Sequence, residues 1–239
     1  MGRFCGLPDH LLRDRGHAPE YAEDMARWAP LKKDQLEALA SEILHNYGRG
    51  RAMIAVDGAS DAGMRQFADD LAESVRTLGH PAFRASVDDF RTPRGRREPR
   101  GQLEASAVYN DGYDYSLLQR VLLDPFRATS GTGFVLAAFD AERDAPMQSK
   151  WTTAPPDALL VIDGPFLNRP QLADRWNYSI WVERGRSDDP GTPGDSTDVE
   201  AIAAADAIYR AEADPRGKAT AIIDNSDAES PRRVFADSC

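Results

Sequence analysis

The sequence predicts an α/β protein, a doubly wound, mainly parallel sheet with helices on both faces. Three observations lead there. Short apolar runs of strand length recur at 52–56, 82–87, 158–163, 178–183 and 219–224. Helical patterns separate several of them, and strands that alternate with helices build parallel sheets. The run 158–163 (ALLVID) is the most apolar segment of the chain, as a strand buried on both faces should be.

Taken in order, residues 1–30 read as an irregular N-terminal arm and residues 31–239 as a single α/β domain. A helix is expected over 31–47, where Leu36, Leu39, Ile43 and Leu44 fall at helical spacing before a Gly48-Arg49-Gly50 stop. The strand 52–56 runs through Asp57 and Gly58 into a second helix, with Phe67, Leu71 and Val75 on one face and Gly79 at its end. The strand 82–87 then closes a βαβ unit and delivers Asp88, Asp89 and Phe90. Residues 91–101 are basic and rich in Pro and Gly, a loop pattern. A helix is expected over 113–123 and an edge strand within 131–140, with FVLAAFD as its core. After the strand 178–183 come a loop-like segment, 184–198, and an Ala-rich helix, 199–213.

Composition narrows the class. A chain of 239 residues is long enough for one substantial domain, which buries roughly 70% of its unfolded surface. Its 41% apolar and 28% charged residues fit a soluble globular protein. No stretch approaches the ~20 continuous apolar residues of a membrane span. The N-terminus is charged throughout and has no signal-peptide core, so a cytoplasmic location is expected. Cys5, Cys239 and four histidines make neither a disulfide framework nor a zinc cage. The net charge of −10 argues against a nucleic-acid polymer as partner, since such binding runs on clustered Lys and Arg. A basic cleft on an acidic protein can still hold one phosphate group. Homo-oligomer formation is left open.

The chemistry concentrates where the first strand meets the second helix. Gly58 and Gly63 frame a strand-to-helix turn, Gly58-Ala59-Ser60-Asp61-Ala62-Gly63, with the architecture of a phosphate-binding P-loop. Such loops work because successive N–H groups surround a phosphate at a helix N-terminus. The full pattern adds a Lys for the β- and γ-phosphates and a Ser or Thr hydroxyl for Mg²⁺. Here those two places hold Met64 and Arg65. The bland alternative is a tight strand-to-helix turn.

Further segments resemble the uridine kinase-like branch of the P-loop kinases, in its bacterial, actinobacterial-looking form. They are Ala85-Ser-Val-Asp-Asp-Phe-Arg-Thr-Pro-Arg94, Gly112-Tyr-Asp-Tyr115 with Leu117-Leu118 and Leu122-Leu-Asp-Pro125, Leu160-Val-Ile-Asp-Gly-Pro-Phe-Leu167, Asn177–Trp181 and Ile222-Ile-Asp-Asn-Ser226. They follow one another in the family's order across residues 50–228. The resemblance implies a P-loop NTPase-type sheet and transfer of the γ-phosphate of ATP or GTP, with Mg²⁺, to a hydroxyl of a nucleoside-like acceptor. It departs from the family in the degenerate loop and in a lid near 184–198 that looks shortened, leaving Arg184 and Arg186 as lid arginines. These losses strike the positioning and charge terms that supply rate in phosphoryl transfer.

On that resemblance Asp88 is the candidate base or Mg²⁺-organising acid, and Asp163 a second metal ligand at a strand end. Asp89, Phe90, Arg94, Tyr113, Asp114 and Tyr115 are the candidate acceptor contacts. Residues 58–65, Arg184 and Arg186 are the nucleotide contacts, with Arg65 in line to replace the missing Lys, although its planar fork is not equivalent to an ammonium. Each has a plainer alternative. The acids can cap strand ends or turns, the tyrosines can be core, and Arg91, Arg94, Arg96, Arg97 and Arg100 can form a solvated charge run. A non-catalytic nucleotide- or metabolite-binding descendant, or a loop turned to other chemistry, are the alternatives to a kinase.

Overall fold

The structure is a computed structural model that describes residues 31–59, 62–98, 103–128, 131–184 and 197–235. Helix α1 (Lys32–Tyr47) precedes strand β1 (Ala52–Gly58), and helix α2 (Met64–Thr77) leads to β2 (Ala82–Ser86). A 3-10 turn (Val87–Phe90) and short helices α3 (Arg94–Arg97), α4 (Ala105–Asp111), α5 (Tyr115–Leu118) and α6 (Asp124–Arg127) follow. Four two-residue strands come next, β3 (Phe134–Val135), β4 (Phe139–Asp140), β5 (Ala145–Pro146) and β6 (Trp151–Thr152). The chain then continues as β7 (Leu159–Asp163), β8 (Tyr178–Glu183), α7 (Thr197–Ala213), α8 (Pro215–Lys218), β9 (Ala221–Asp224) and β10 (Arg232–Val234).

Six strands form one sheet in the order β10-β9-β8-β1-β7-β2. Every neighbouring pair is parallel except β9 with β10. The doubly wound α/β architecture is therefore observed, with β1 at its centre between β7 and β8. Alternate residues of the central strands feed separate cores. Ile54, Val56, Leu159 and Val161 pack with α1 and α2, through Leu39, Ile43, Phe67 and Leu71. Met53, Ala55, Leu160 and Ile162 pack on the other face with Leu118, Leu122, Phe126 and Phe134. A third cluster on Trp181 and Ile222 joins Tyr109 of α4 to Ala205 and Tyr209 of α7. This period-2 division is what a strand covered on both faces must show.

Three sequence expectations need correction. The segment 131–140 is no edge of the main sheet, because β3 pairs with β6 and β4 with β5 in separate antiparallel ribbons. The helix expected over 113–123 begins at Tyr115 and widens into a π-turn (Gln119–Leu123) before α6. The segment 91–101, expected as a loop, holds the short helix α3 (Arg94–Arg97), and α4 and β10, both short, have no counterpart in the sequence reading. The arm 1–30 lies outside the described residues, as does most of the lid segment 184–198.

One surface tie holds α1 to the sheet edge. Tyr178 donates to Glu42 Oε1 at 2.7 Å, and Arg233 of β10 pairs with both oxygens of the same carboxylate. The Arg233 hydrogen bond leads the other contributions in pulling the Glu42 carboxyl below its ordinary range.

Candidate functional site

The glycine frame is fixed by contacts that no side chain could share. Gly58 pairs with Val182 in the β1–β8 ladder, and a Cβ there would stand 2.1 Å from the Val182 carbonyl oxygen. Gly63, at φ +72°, adopts the left-handed geometry that favours glycine. A Cβ on Gly63 would lie 3.0 Å from the amide nitrogen of Asn225. That amide is buried and donates to the Ala62 carbonyl at 2.8 Å, while the Asn225 N–H donates to Glu183 at 2.7 Å. The end of β9 thus clamps the loop. Ser60 and Asp61 lie outside the described residues.

Beneath the loop sits a buried acid that the sequence reading passed over. Asp57 is 0% exposed and accepts from Gly58 N, from the backbone and side-chain amides of Asn168, and from the Tyr209 hydroxyl. Burial raises its carboxyl to about 6, and those four donors only partly offset it. A charged residue closing an otherwise apolar strand was the available signal. Because the folded value lies above the unfolded one near 3.9, the contribution to stability is full below about pH 4 and is lost as pH rises through 6. We predict that wild type loses on the order of 2 kcal/mol relative to Asp57→Asn between pH 4 and pH 7. Urea unfolding at both pH values measures this, and parallel pH profiles for the two proteins would refute it.

The acids and arginines meet at the C-terminal ends of β2 and β7, where Ser86 lies beside Asp163 in register. Arg65 Nη2 is 3.2 Å from Asp88 Oδ2 and 3.3 Å from Ser86 Oγ. Arg91 holds the other oxygen, Asp88 Oδ1, at 3.0 Å, and Tyr113 donates to it at 3.4 Å. Asp163 is nearly buried and ion-paired with Arg84 Nη2 at 2.7 Å. Burial works against the charge on Arg65, but Asp163, Asp88 and Asp89 outweigh it and hold the guanidinium more firmly protonated. Burial also raises the Asp89 carboxyl; Arg65 opposes that shift, and Asp88 and Asp163 add to it.

A cavity of about 370 Å³ opens beside Asp88. One wall carries Arg91, Arg94 and Arg97, others carry Leu103, Val108, Tyr113, Phe166 and Ile202, and Gly58 and Met64 reach it from the loop. Helix α7 adds Asp198 and Asp206, the latter paired with Arg210 at 2.7 Å.

Several expected contacts lie elsewhere. Phe90 is 0% exposed in the core. Asp114 caps α5, its Oδ1 accepting from Leu117 N at 2.8 Å. Tyr115 packs against Arg169, whose guanidinium is 4.3 Å from that ring centre and 4.6 Å from that of Tyr109. Arg184 is exposed directly after β8, and Arg186 is outside the described residues. Met64 is 8% exposed and belongs to the core under α2. Asn168, Arg169, Tyr209 and Asn225 are the polar residues that the sequence reading missed. Asn225 stood in a quoted segment, but nothing local tells that its amide reaches back to the loop.

The metal that such loops ordinarily employ can be tested against this donor set. Residue 65 has no hydroxyl, Asp88 is shared by two arginines, and Asp163 is ion-paired with a third. Among the described residues no three His, Cys, Asp or Glu side chains gather as a metal cage. The residues present do not fit Mg²⁺ in the place the pattern gives it.

The strand–glycine turn–helix unit at the centre of a mainly parallel sheet is the arrangement of a P-loop-type fold. Solved structures agree. The chain is similar to a Bacillus stearothermophilus protein provisionally named a uridine kinase, at TM-score 0.67 and 20% identity over 80% of this chain and 97% of that one. It is also similar to a Silicibacter sp. TM1040 protein provisionally named a fructose transport system kinase, at TM-score 0.54 and 25% identity over 77% and 94%. No protein-family model matches the sequence, and no curated protein matches it at a significant level. Among the described residues no helix is long and apolar enough to cross a membrane.

Proposed function

We propose that this protein is a kinase-type phosphotransferase that passes the γ-phosphate of ATP or GTP to a hydroxyl of a small, nucleoside-like acceptor held in the 370 Å³ cavity. The observation that carries this reading is the position of Asp88. It stands on the cavity wall at the end of β2, with Arg65 on one carboxylate oxygen and Arg91 and Tyr113 on the other. An acceptor hydroxyl entering the cavity meets the Asp88 carboxylate, which can take its proton. Phosphoryl transfer is mainly positioning and charge stabilisation, and Arg65, Arg91 and Arg94 supply cationic groups around that point. The apolar side formed by Leu103, Val108, Phe166 and Ile202 suits a base or another flat group.

A second reading, binding of a nucleotide or metabolite without turnover, draws on Met64. Its side chain is packed into the core where a catalytic Lys would reach the phosphates.

Release of ADP or GDP by the full chain, measured with a panel of nucleosides and sugars, tests the first reading. Acceptor-dependent release that Asp88→Asn lowers by at least ~100-fold in kcat supports it. Tight ATP binding with release no faster than the acceptor-free background points to the second.

A further inference from the structure

We propose that this protein binds the phosphate groups of its ligand without a divalent cation, the Arg65 guanidinium standing where the loop's ordinary pattern places the metal. The nucleotide as ligand rests on the phosphotransferase reading; the cation independence rests on the contacts of Arg65, Arg84 and Arg91.

Position 65 lies in the first turn of α2, where the pattern requires a hydroxyl as metal ligand. Arginine has no lone pair to offer a cation and keeps its charge at any ordinary pH. Its Nη2 makes both contacts, to Ser86 Oγ at 3.3 Å and Asp88 Oδ2 at 3.2 Å. Among the described residues Nη1 and Nε have no partner, and the side chain is 58% exposed. The guanidinium is held at one corner and open on the rest of its fork, the form in which arginine takes a phosphate in bidentate fashion.

The remaining acid is no more available. Asp163 has a side chain only 4% exposed; among the described residues its Oδ1 makes no hydrogen bond but lies 2.7 Å from Arg84 Nη2, and Arg84 is also anchored to Asp69 at 2.8 Å. A metal that recruited Asp163 would leave the 17%-exposed Arg84 without its buried partner, a costly exchange. Four carboxylates (Asp69, Asp88, Asp89, Asp163) face the guanidiniums of Arg65, Arg84 and Arg91, so the acids of the cluster already have cations beside them. Adding Mg²⁺ to it places two more positive charges beside arginines that cannot discharge. An incoming phosphate instead meets the open fork of Arg65.

Calorimetric titration of the full chain tests this, with ATP in EDTA, ATP in excess MgCl₂, and tripolyphosphate in EDTA. The expected result is ATP binding in EDTA that is as tight as in MgCl₂ or up to ~10-fold tighter, because Mg²⁺ masks the charge that Arg65 attracts. Arg65→Ala should weaken binding in EDTA at least ~10-fold, and Arg65→Lys should lose less. Thermal melts establish that each variant is folded. ATP binding that appears only with Mg²⁺ overturns the inference and leaves the phosphotransferase reading standing. Tripolyphosphate binding in EDTA without ATP binding keeps the inference and removes the nucleotide donor. Binding of neither ligand in either buffer overturns both.

Discussion

Gly58→Ala is expected to destabilise the fold by at least about 3 kcal/mol, near the upper end of what a single methyl group can do. The added Cβ would lie 2.1 Å from the Val182 carbonyl oxygen and 3.0 Å from its carbon. Both belong to the backbone of β8, which is tied to β1 by the parallel register and to β9 on its other side. No flexible side chain can swing aside, so the two central strands must separate at the mouth of the loop. Gly63→Ala meets only the end of the Asn225 amide at 3.0 Å and a left-handed φ. That change should cost about 1–3 kcal/mol. Urea unfolding of the two variants gives the order directly; Gly58→Ala within 1 kcal/mol of wild type would falsify the close β1–β8 approach.

The double change Met64→Lys, Arg65→Thr is expected to convert the site to metal dependence. Threonine releases Asp88 Oδ2 from its 3.2 Å ion pair and restores a hydroxyl at the start of α2. Lysine restores a point charge for the phosphates. Met64 is 8% exposed and packs in the core beneath α2, so the lysine stem must snorkel toward the cavity that Met64 already lines. The double variant should bind ATP at least ~10-fold more tightly in Mg²⁺ than the wild type does, about 1.4 kcal/mol. It should lose that gain in EDTA. Each single change should give less than its share, because the two groups act on the same phosphates. A double variant that binds ATP more weakly than wild type with Mg²⁺ present would mean that the loop has been reshaped around Arg65. The glycine frame alone would then not restore the ordinary pattern.

The sequence alone determined the sheet. Five apolar runs at 52–56, 82–87, 158–163, 178–183 and 219–224 became five parallel strands with ends displaced by at most two residues. Burial on both faces is a local demand on composition, and it can be read without knowing the neighbours. The glycine turn was equally plain, since Gly58 and Gly63 are dictated by backbone approach and dihedral angle. The tertiary structure decided which polar groups meet. Asp57, Asn168 and Tyr209 are 41 to 152 positions apart in their pairings, and Asn225 crosses 163 positions to reach Ala62. No periodicity encodes such pairs. The same holds for the candidate acids. Their place at the ends of β2 and β7 followed from the strand pattern, but that Asp163 would face Arg84 and Asp88 would lie between Arg65 and Arg91 depended on strand order and side-chain reach. Sequence fixes where a carboxylate can stand along a strand; only the packed sheet determines which cation neutralises it, because that choice is made across strands and over distances of a few ångströms.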